Sequence, residues 1–592
     1  MYLSQLKIKH FRRLKEINFN FVPGLNIVLG ANNIGKTALV DALRALLAGH
    51  EDPYPRFYTD DIHQPDNGDP TADEIRFEFI FSALSLDDEA TFLEALIPNS
   101  NGDMEVHLGV SYNRLENSDW LKPKRWCGNF EEISLNGEML ENLRSVYLPP
   151  LRDASKGLKP GRNSQLARLL RLIGDKDQAG KEDIENTLQK YDDELKNKGP
   201  IKDTSDAITD RHTVMLGDKL AQTLELGISG TDFHRLSSRL TLIADNRDIE
   251  QNGLGFNNLI YMSVVLSEMI KDPSAAYRSL IVEEPEAHLH PQLQSVLLDY
   301  LESVENKEQG NSVQVFVTSH SPNFASIANI NSTTCLSDDS GNVCSFSPRE
   351  AIFDKNEKKH QSKRQKLERY LDATRAELFF ARKIIFVEGA AELMMINVLA
   401  KTLGDKYNLR KNAVSVISVD GLNFDSFVPL FGENGIKIPV AIITDADPAD
   451  ISNEDDSDEK GSQYPDKEEV IKVSDNTEKL KTLEDQYLKV FHGQKTFEYD
   501  MALYEKNRPL MLTALEEMHP KIAKALAKEV EVVKDNAEQA KTLFKGMFER
   551  EGSKKNVQKG AYGQNLAQVI STTDKEIELP GYILEAIKHV CE

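Results

Sequence analysis

The pattern of hydrophobic and polar positions changes several times along the chain. Residues 2–8 and 74–81 alternate between apolar and polar side chains, which is typical of strands with one buried face. Apolar runs at 25–29, where Asn26 is the one polar residue, and at 280–282 and 384–387 are bounded by polar residues or glycine. Such short runs predict fully buried strands of parallel sheets. Further strands are predicted at 314–319, 414–419 and 440–444, and one ending at 146–148.

Helical spacing dominates two other regions. Residues 165–173 repeat apolar side chains at helical intervals, and the segment from about 155 to 245 continues with charged helical patterns. We interpret this segment as an inserted helical arm, for which packing or dimerisation is favoured over catalysis. Residues 507–550 are also predicted to be helical, with no role assigned to them.

Gly30 to Thr37 form a phosphate-binding loop by sequence, reading GANNIGKT between a predicted strand and a predicted helix. The helix N-terminus would therefore face a phosphate. Lys36 is expected to reach the β- and γ-phosphates of a nucleotide, and the Thr37 hydroxyl to ligate Mg²⁺. The predicted nucleotide-binding residues of this loop are Gly30, Asn32, Asn33, Gly35, Lys36 and Thr37.

A second set of acidic and polar residues completes the motifs of an ATPase. Glu283 and Glu284 end the buried run at 280–282, and we expect them to hold Mg²⁺ through water and to polarise the attacking water, respectively. His320 follows the next strand and is placed to sense the γ-phosphate. Residues 252–258 put two glycines at a helix start, a candidate for contacting a phosphate in trans.

Two nearby segments have open interpretations. Residues 57–63 could bring a polar group near the nucleotide's metal or form a plain surface loop. Residues 287–291 contain His288 and His290, which are zinc ligands by type, but their position among ATPase motifs favours a subunit-contact loop.

Carboxylates follow the buried strands of the second half. Glu388 and Asp445 come directly after predicted strands, whose carboxyl ends meet at one edge of a parallel sheet. Asp447 is two residues beyond Asp445, a spacing that points both side chains the same way on an extended chain. Glu392, one helical turn after Glu388, is expected to join them. Such oxygen ligands suit Mg²⁺ or Mn²⁺, with loop and helix capping as the alternative role.

The distribution of charge indicates less about function than the motifs do. Residues 354–366 carry six basic side chains and are either a solvated linker or a contact to a DNA backbone. Residues 452–469 are acidic and polar and are predicted to be a flexible loop. The net charge of −24 counts against nucleic-acid binding, although charge distribution matters more than the sum, to which metal-binding carboxylates also contribute.

Length and composition limit the number of domains and the class of protein. The 592 residues give room for roughly three to four domains. No apolar run reaches the length of about 18 residues that a membrane-spanning helix needs, and the N-terminus lacks a signal-peptide pattern. Four scattered cysteines argue against disulfides and structural zinc and predict a cytoplasmic protein.

The order of motifs in the first half resembles the ABC-type ATPase heads of the SMC, RecF and OLD families. Glu388-Gly-x-x-Glu392 and Asp445-x-Asp447 resemble the two motifs of a Toprim domain. A head followed by a Toprim domain, over nearly the whole chain, resembles the OLD (overcoming lysogenization defect) nuclease family. Glu283 stands where such heads usually have Asp, but residues 283–290 are similar to the OLD subgroup.

This resemblance implies further features. Two heads would sandwich ATP, so that at least a dimer is expected, with a tetramer as an alternative. One Mg²⁺ or Mn²⁺ would accompany ATP and two would bind at the Toprim site. Residues 495–500 resemble the family's strand with a further ligating acid, for which Glu498 is favoured over Asp500. Lys559 resembles a late catalytic lysine that stabilises charge on the scissile phosphate, with a plain exposed lysine as the alternative.

The predicted fold class is α/β: an ABC-type ATPase head with an inserted helical dimerisation arm, then a Toprim α/β domain with a C-terminal helical part. The boundaries are 1–154 and 246–350 for the two parts of the head, 155–245 for the arm, 351–380 for a basic linker, and 381–592 for the Toprim domain with its helical insertion.

The main hypothesis is an ATP-binding, metal-dependent DNA endonuclease whose activity the heads control, and the resemblance implies antiphage defence. The alternative is an SMC- or RecF-like DNA-binding ATPase with a non-catalytic Toprim fold. A topoisomerase is disfavoured because it would need a nucleophilic tyrosine on a separate domain, and a primase is disfavoured because zinc-binding cysteines, which often accompany that activity, are absent from the sequence.

Expected partners are DNA, further copies of the chain, and either a helicase-like protein, as in the Gabija system, or a reverse transcriptase with its RNA–DNA product, as in retrons. No membrane is expected.

Overall fold

The computed structural model describes residues 1–48, 54–64, 72–115, 118–150, 158–162, 164–222, 224–271, 275–287, 289–303, 313–448, 463–467, 469–552, 555–573 and 576–592. Within these ranges, no helix combines the length and the apolar character that crossing a membrane requires. Most of the acidic segment at 452–469, for which a flexible loop is predicted, lies outside the described residues.

The strands in chain order are β1 (Tyr2–Phe11), β2 (Leu14–Asn20), β3 (Leu25–Leu29), β4 (Glu74–Ser82), β5 (Leu96–Pro98), β6 (Met104–Leu115), β7 (Ser118–Cys127), β8 (Leu143–Leu148), β9 (Ile243–Ala244), β10 (Arg247–Asp248), β11 (Tyr277–Glu283), β12 (Gln314–Ser319), β13 (Thr333–Asp339), β14 (Asn342–Phe346), β15 (Lys383–Val387), β16 (Val414–Ser418), β17 (Val440–Thr444) and β18 (Leu488–His492).

The helices are α1 (Lys36–Leu46), α2 (Leu86–Thr91), α3 (Gly137–Glu141), α4 (Gln165–Lys176), α5 (Gln178–Lys196), α6 (Gly199–Leu216), α7 (Phe233–Ser237), α8 (Leu254–Lys271), α9 (Pro291–Ser303), α10 (Pro322–Ile327), α11 (Glu357–Tyr370), α12 (Ala390–Thr402), α13 (Phe424–Phe427), α14 (Asp475–Lys481), α15 (Phe497–Ala502), α16 (Arg508–Met518), α17 (Pro520–Val532), α18 (Asn536–Phe548), α19 (Lys559–Thr572) and α20 (Gly581–Cys591).

Two sheets form the first lobe. An antiparallel sheet has the order β2-β1-β4-β6-β5, with β7 paired to β6. In β4 every second residue is buried, as its alternating sequence predicts. The other sheet has the order β14-β13-β3-β12-β11-β8, and its strands from β13 to β8 are parallel. Because β3, β12 and β11 are parallel neighbours, the phosphate loop after β3 and the paired glutamates at the end of β11 lie at the same edge of the sheet.

The region predicted to be a helical arm contains α4, α5, α6 and α7 among its described residues. Helix α4 packs against α8 of the head and against α7. Helix α6 buries no residue, and its C-terminal turn exposes Val214 and Met215 by 79% and 77%. Exposed apolar side chains at a helix end can take part in contacts with another protein.

The basic segment predicted to be a linker is instead largely a helix, α11. The side chain of Asn356 caps it by accepting a hydrogen bond from the Lys359 amide. Leu367 is buried in the core, and Lys363 pairs with Asp354 at 3.3 Å. The sequence does not indicate this helix, because few of its side chains are apolar and they form no amphipathic stripe.

The second lobe has a four-stranded sheet of order β16-β15-β17-β18 in which every pair is parallel, as the sequence predicts. Helix α19 packs closely on α12, since a Cβ at Gly563 would lie 2.8 Å from Ala391. Helices α16, α17 and α18 confirm the helical prediction for 507–550. One hydrophobic core runs from β3 and β12 of the head into β15 and β17, so the two lobes share buried residues.

Candidate nucleotide and nuclease sites

The phosphate loop has the backbone that its sequence predicts. Gly35 ends it at φ 118°, a left-handed conformation that favours glycine, and α1 begins at the next residue. The Lys36 ammonium is buried and donates to the carbonyl oxygens of Gly30 at 2.6 Å and Ala31 at 3.0 Å. Burial lowers the pKa of Lys36, and nearby acidic groups, Glu284 first, oppose that shift. The backbone oxygens of the loop therefore hold the Lys36 ammonium against the loop itself.

Glu283 and Thr37, both predicted Mg²⁺ ligands, lie together. Burial raises the pKa of Glu283, and hydrogen bonds from the hydroxyls of Tyr147 and Thr37 partly offset that rise. The Tyr147 hydroxyl donates to Oε2 of Glu283 at 2.7 Å, and the Arg44 guanidinium lies 4.0 Å from the centre of the Tyr147 ring. Sequence reasoning missed Tyr147, because its own segment does not indicate that its strand, β8, neighbours β11.

Glu284 and His320 also meet. Glu284 has φ 45°, and its amide donates to the carbonyl of Thr318 at 2.9 Å, which fixes the turn after β11. Nδ1 of His320 lies 3.2 Å from Oε1 of Glu284 and 3.7 Å from Oε1 of Glu286. Ser319 donates to the same Glu286 oxygen at 2.7 Å. The strand order thus brings the predicted water-polarising acid beside the predicted phosphate-sensing histidine.

Two further head segments are placed by the fold. Asp61 of the 57–63 loop pairs with Arg12 at 2.8 Å, and Arg12 also pairs with Asp41 of α1 at 2.7 Å. The glycine-rich segment 252–258 opens helix α8 at Leu254, as predicted. His288 of the alternative zinc site lies outside the described residues.

In the second lobe, Glu388 links the ends of two neighbouring strands. Its Oε1 accepts a hydrogen bond from the Thr444 hydroxyl at 2.6 Å and from the Asp445 amide at 2.7 Å. Asp445 in turn accepts from the amide of Phe497 at 3.1 Å through its Oδ1. The carboxylates after β15 and β17 therefore share one sheet edge, as the parallel topology requires.

The raised pKa values of Glu392 and Asp445 indicate that the acids at this sheet edge repel one another. Glu392 is buried and caps its own helix by accepting from the Gly389 amide at 3.0 Å. Burial, then Glu498 and Glu388, raise the pKa of Glu392 to about 7. Burial, then Glu388 and Glu392, raise the pKa of Asp445 well above its usual value. Four acids of this cluster, Glu388, Glu392, Asp445 and Glu498, thus act on each other electrostatically.

Glu498 lies in the first turn of helix α15, so the prediction that it lies on a strand is wrong. Strand β18 already ends at His492, and the Thr496 side chain caps the following helix. The Lys559 ammonium, at the start of α19, lies 2.9 Å from Oε2 of Glu498. Oε1 of Glu498 is buried and has no hydrogen-bond partner among the described residues. Burial opposes the charge on Lys559, but Glu498, Asp445 and Glu392 outweigh it and raise the pKa of Lys559.

Asp500, the second choice for this acid, has another role. Its Oδ1 accepts from the amides of Gln494 and Lys495, each at 3.1 Å. Burial raises its pKa to about 7, and these backbone hydrogen bonds partly offset the rise. A Cβ at Gly493 would lie 1.7 Å from Oδ2 of Asp500, so the loop wraps tightly around this carboxyl.

Asp447 does not follow the predicted geometry. Strand β17 ends at Thr444, and Asp447 adopts φ 38°, so the alternation of an extended chain does not reach it. Its side chain is exposed, and its amide donates to the Lys495 carbonyl at 3.3 Å. Within the described part of the chain, no three His, Cys, Asp or Glu side chains are already arranged to hold a metal ion.

Three lysines surround one tyrosine near this cluster. The ammonium groups of Lys495, Lys545 and Lys541 lie 4.4, 5.2 and 5.6 Å from the centre of the Tyr464 ring. Glu549 partly balances them, since it lies 3.7 Å from the Lys495 ammonium and accepts from the Tyr464 hydroxyl. We call these three lysines and Tyr464 the lysine patch. Sequence reasoning missed it because its members come from three separate segments.

Comparison with known proteins matches both lobes. Residues 1–89 and 147–325 match the AAA ATPase domain, and residues 379–447 match the TOPRIM domain of overcoming lysogenization defect protein-like sequences. Endonuclease GajA of Bacillus cereus (strain HuB5-5) is 23% identical, covering 88% of this chain and 90% of that protein. The OLD nuclease of Thermus scotoductus is 24% identical, covering 67% and 74%. A solved SMC head bound to the C-winged helix domain of ScpA, 16% identical, covers 59% of this chain and 98% of its own, with a TM-score of 0.36.

Proposed function

We propose that this chain, which belongs to the OLD family, is an ATP-binding, divalent-metal-dependent DNA endonuclease. The observation that carries the proposal is the group of Glu388, Glu392, Asp445 and Glu498 with Lys559, at the carboxyl edge of the Toprim sheet. The names of the two relatives, an endonuclease and a nuclease, support the same activity. A role in antiphage defence, which the family resemblance implies, is part of this proposal.

The chemistry of these acids fits Mg²⁺ or Mn²⁺. Two of them have raised pKa values because of burial and mutual repulsion, and a cation would relieve that repulsion. The buried Oε1 of Glu498 lacks a hydrogen-bond partner among the described residues and could serve as a ligand. The other carboxylates each accept a backbone amide through one oxygen, Oε1 of Glu388, Oε2 of Glu392 and Oδ1 of Asp445, which leaves the second oxygen of each for a metal ion. We propose two ions, held by Glu388, Glu392, Asp445 and Glu498, with Asp447 joining from the surface.

Bound cations would activate water and stabilise the oxygen that leaves in phosphodiester cleavage. The chain itself supplies a positive charge at Lys559, which is half-exposed and paired with Glu498. Such a lysine can stabilise the charge that develops on the scissile phosphate. Because Glu498 holds the Lys559 ammonium in place, the lysine is positioned before a phosphate arrives.

We further propose that the head binds ATP with Mg²⁺ and controls the nuclease. Lys36 would contact the phosphates, and Glu283 with Thr37 would hold the ion. Glu284 would orient the attacking water, and His320, 3.2 Å away, would sense the γ-phosphate. Glycines at the start of α8 would contact the nucleotide of a second copy, and the exposed apolar end of α6 supports an interface between copies.

In the lysine patch, Lys545 is exposed and Lys541 partly exposed, so these two could meet a DNA phosphate despite the net charge of −24, whereas Lys495 is buried. Lysines that contact phosphates supply most of the sequence-independent affinity for DNA. Lys495 and Glu498 also belong to one loop-helix segment, which connects the patch to the proposed cleavage site. A helicase-like partner or a reverse transcriptase with its RNA–DNA product stays a prediction.

The experiment is cleavage of plasmid DNA in Mn²⁺ by the full chain and by Glu388→Ala and Asp445→Ala. We expect both variants to lose cleavage, with Asp405→Ala as the control, since Asp405 is an exposed acid of the same lobe that pairs with Lys411. Full activity in both site variants would refute the proposed site.

One observation favours the second candidate, an SMC-like DNA-binding ATPase with a non-catalytic Toprim fold. The acids of the cluster are hydrogen-bonded to backbone amides, and no three side chains of the described residues form a ready metal site. DNA binding by the wild type without cleavage in either Mg²⁺ or Mn²⁺ would support this candidate.

A further inference from the structure

A cavity of about 390 Å³ lies between the phosphate loop and the Toprim lobe. Ala31, Asn32 and Ile34 of the phosphate loop form one of its walls. Phe380 and Lys437, next to strands β15 and β17, form the opposite wall. Its size is within the range of about 300–1,000 Å³ that small-molecule sites occupy.

Polar contacts hold the two walls together at the rim. Arg13 donates to the Asn33 carbonyl of the phosphate loop at 2.6 Å and pairs with Asp338 at 2.6 Å. The neighbouring Asp339 accepts a hydrogen bond at 2.8 Å from the hydroxyl of Tyr487, which also lines the cavity. The phosphate loop is thereby connected to the Toprim lobe through the last two residues of β13.

The position of the cavity suggests its ligand. A nucleotide whose phosphates lie against Lys36 must place its ribose and base outside the loop. This cavity begins at the loop itself and offers an aromatic ring, Phe380, and cationic side chains, Arg13 and Lys437. Aromatic and apolar walls with a few polar groups suit a planar heterocyclic base on a sugar. The shared hydrophobic core holds the far wall in a fixed position relative to the head.

We propose that this cavity receives the base and ribose of the nucleotide bound at the phosphate loop, so that the Toprim lobe forms one wall of the ATP site. The proposal rests on ATP binding by the head, which is part of the proposed function. It assigns Phe380, Lys437 and Tyr487 of the second lobe to nucleotide binding. No separate regulatory domain is then needed to carry nucleotide occupancy to the nuclease.

The connection to the nuclease is short. Tyr487 immediately precedes β18, and its carbonyl accepts from the amide of Val440, the first residue of β17. Asp445 follows β17, and Glu498 follows β18. A nucleoside against Tyr487 would therefore contact the beginning of the two strands whose far ends position the proposed metal ligands.

The test compares the affinity of a fluorescent ATP analogue with that of tripolyphosphate, which competes for the phosphate loop but has no base or ribose. We expect Lys437→Ala and Phe380→Ala to weaken the ATP analogue by about fivefold or more, the effect of losing one contact of about 1 kcal/mol, and to leave tripolyphosphate unchanged. Because Lys437 is only half-buried, we expect Lys437→Ala to fold, and this variant alone can decide the test if Phe380→Ala does not fold. Lys401→Ala, an exposed lysine of α12, is the matched control.

Lys36→Ala separates the possible outcomes, because it should lose both ligands. Wild-type affinity for the ATP analogue in both cavity variants would overturn the cavity proposal and leave the proposed function intact. Equal losses for the ATP analogue and tripolyphosphate would also overturn it, since the variants would then act on the loop itself. Absence of ATP binding in the wild type would refute both the cavity proposal and the ATP-binding part of the proposed function.

Discussion

The ammonium group of Lys559 lies 2.9 Å from a carboxylate oxygen of Glu498, on the first turns of two different helices. This contact brings α19 to the carboxyl edge of the Toprim sheet, where Asp445 and Glu392 also raise the pKa of Lys559. The lysine is thus the positive member of an otherwise acidic cluster. Its replacement tests whether that charge serves catalysis or only compensates Glu498.

Lys559→Met should lower DNA cleavage by about 100-fold or more, the cost of losing one group that stabilises transition-state charge, with DNA binding largely retained. Cleavage rates in Mn²⁺ and affinity for a duplex in Ca²⁺ would measure the two effects separately. Lys555→Met, an exposed lysine just before the same helix, is the control. Wild-type cleavage by Lys559→Met would assign the lysine a structural role only.

Asp445→Asn should abolish cleavage without lowering the melting temperature of the metal-free protein. Burial and neighbouring acids make the Asp445 carboxylate unfavourable in the fold, and an amide can still accept from the Phe497 amide. Mn²⁺ should raise the melting temperature of the wild type and not that of the variant. A large drop in the metal-free melting temperature of Asp445→Asn would contradict this account.

The pH dependence of stability follows from Glu392, whose folded-state pKa is about 7. Its pKa in the unfolded chain is about 4.3, so between these pH values the folded protein binds more protons than the unfolded one. The free energy of unfolding of the metal-free protein should therefore fall as pH rises from about 4 to 7. Chemical denaturation across this range would measure it. Glu392→Gln should flatten the slope, and an unchanged slope would contradict the raised pKa.

Much of the fold was predictable because its signals are local. The buried runs before Lys36, Glu283 and Asp445 are strands, and the parallel topology brings their ends together. The segment 354–366 was missed as a helix because its packing depends on one buried residue, Leu367, rather than on an apolar stripe.

The parts of the site that could not be predicted depend on contacts between distant segments. Tyr147 reaches Glu283 only because β8 and β11 are neighbours, which nothing in either segment indicates. The lysine patch arises from three segments that converge on Tyr464. The strand ends at Thr444 as predicted, but the geometry expected for Asp447 is wrong because the chain does not stay extended after the strand and Asp447 adopts φ 38°.

Tyr147→Phe tests the support of the metal-binding acid in the head. Loss of the 2.7 Å hydrogen bond to Glu283 should raise the Mg²⁺ concentration needed for half-maximal ATP hydrolysis by several-fold, since such a bond contributes about 1 kcal/mol. Glu284→Gln should instead retain ATP binding and lose hydrolysis. Steady-state hydrolysis over a Mg²⁺ titration distinguishes the two. An unchanged Mg²⁺ requirement in Tyr147→Phe would show that the hydroxyl does not position Glu283.

Replacing Lys541 and Lys545 together by alanine should weaken DNA binding at all sequences and reduce its salt dependence. Each lost phosphate contact lowers the slope of log affinity against log salt by about 0.9. Affinities measured at several salt concentrations in Ca²⁺ would give that slope. Replacing Lys521 and Lys524 together by alanine, two exposed lysines of α17, is the charge-matched control. The same slope in the double variant and the wild type would exclude the lysine patch from the DNA interface.

The central claim is that ATP-binding heads govern a metal-dependent nuclease. The most direct measurement is cleavage of supercoiled and linear DNA in Mg²⁺ or Mn²⁺, with and without ATP, by the wild type and by Lys36→Ala. We expect metal-dependent cutting by both proteins, altered by ATP in the wild type and not in Lys36→Ala. Cutting that ATP leaves unchanged in the wild type would contradict control by the heads, and absence of cutting with either metal would contradict the nuclease itself.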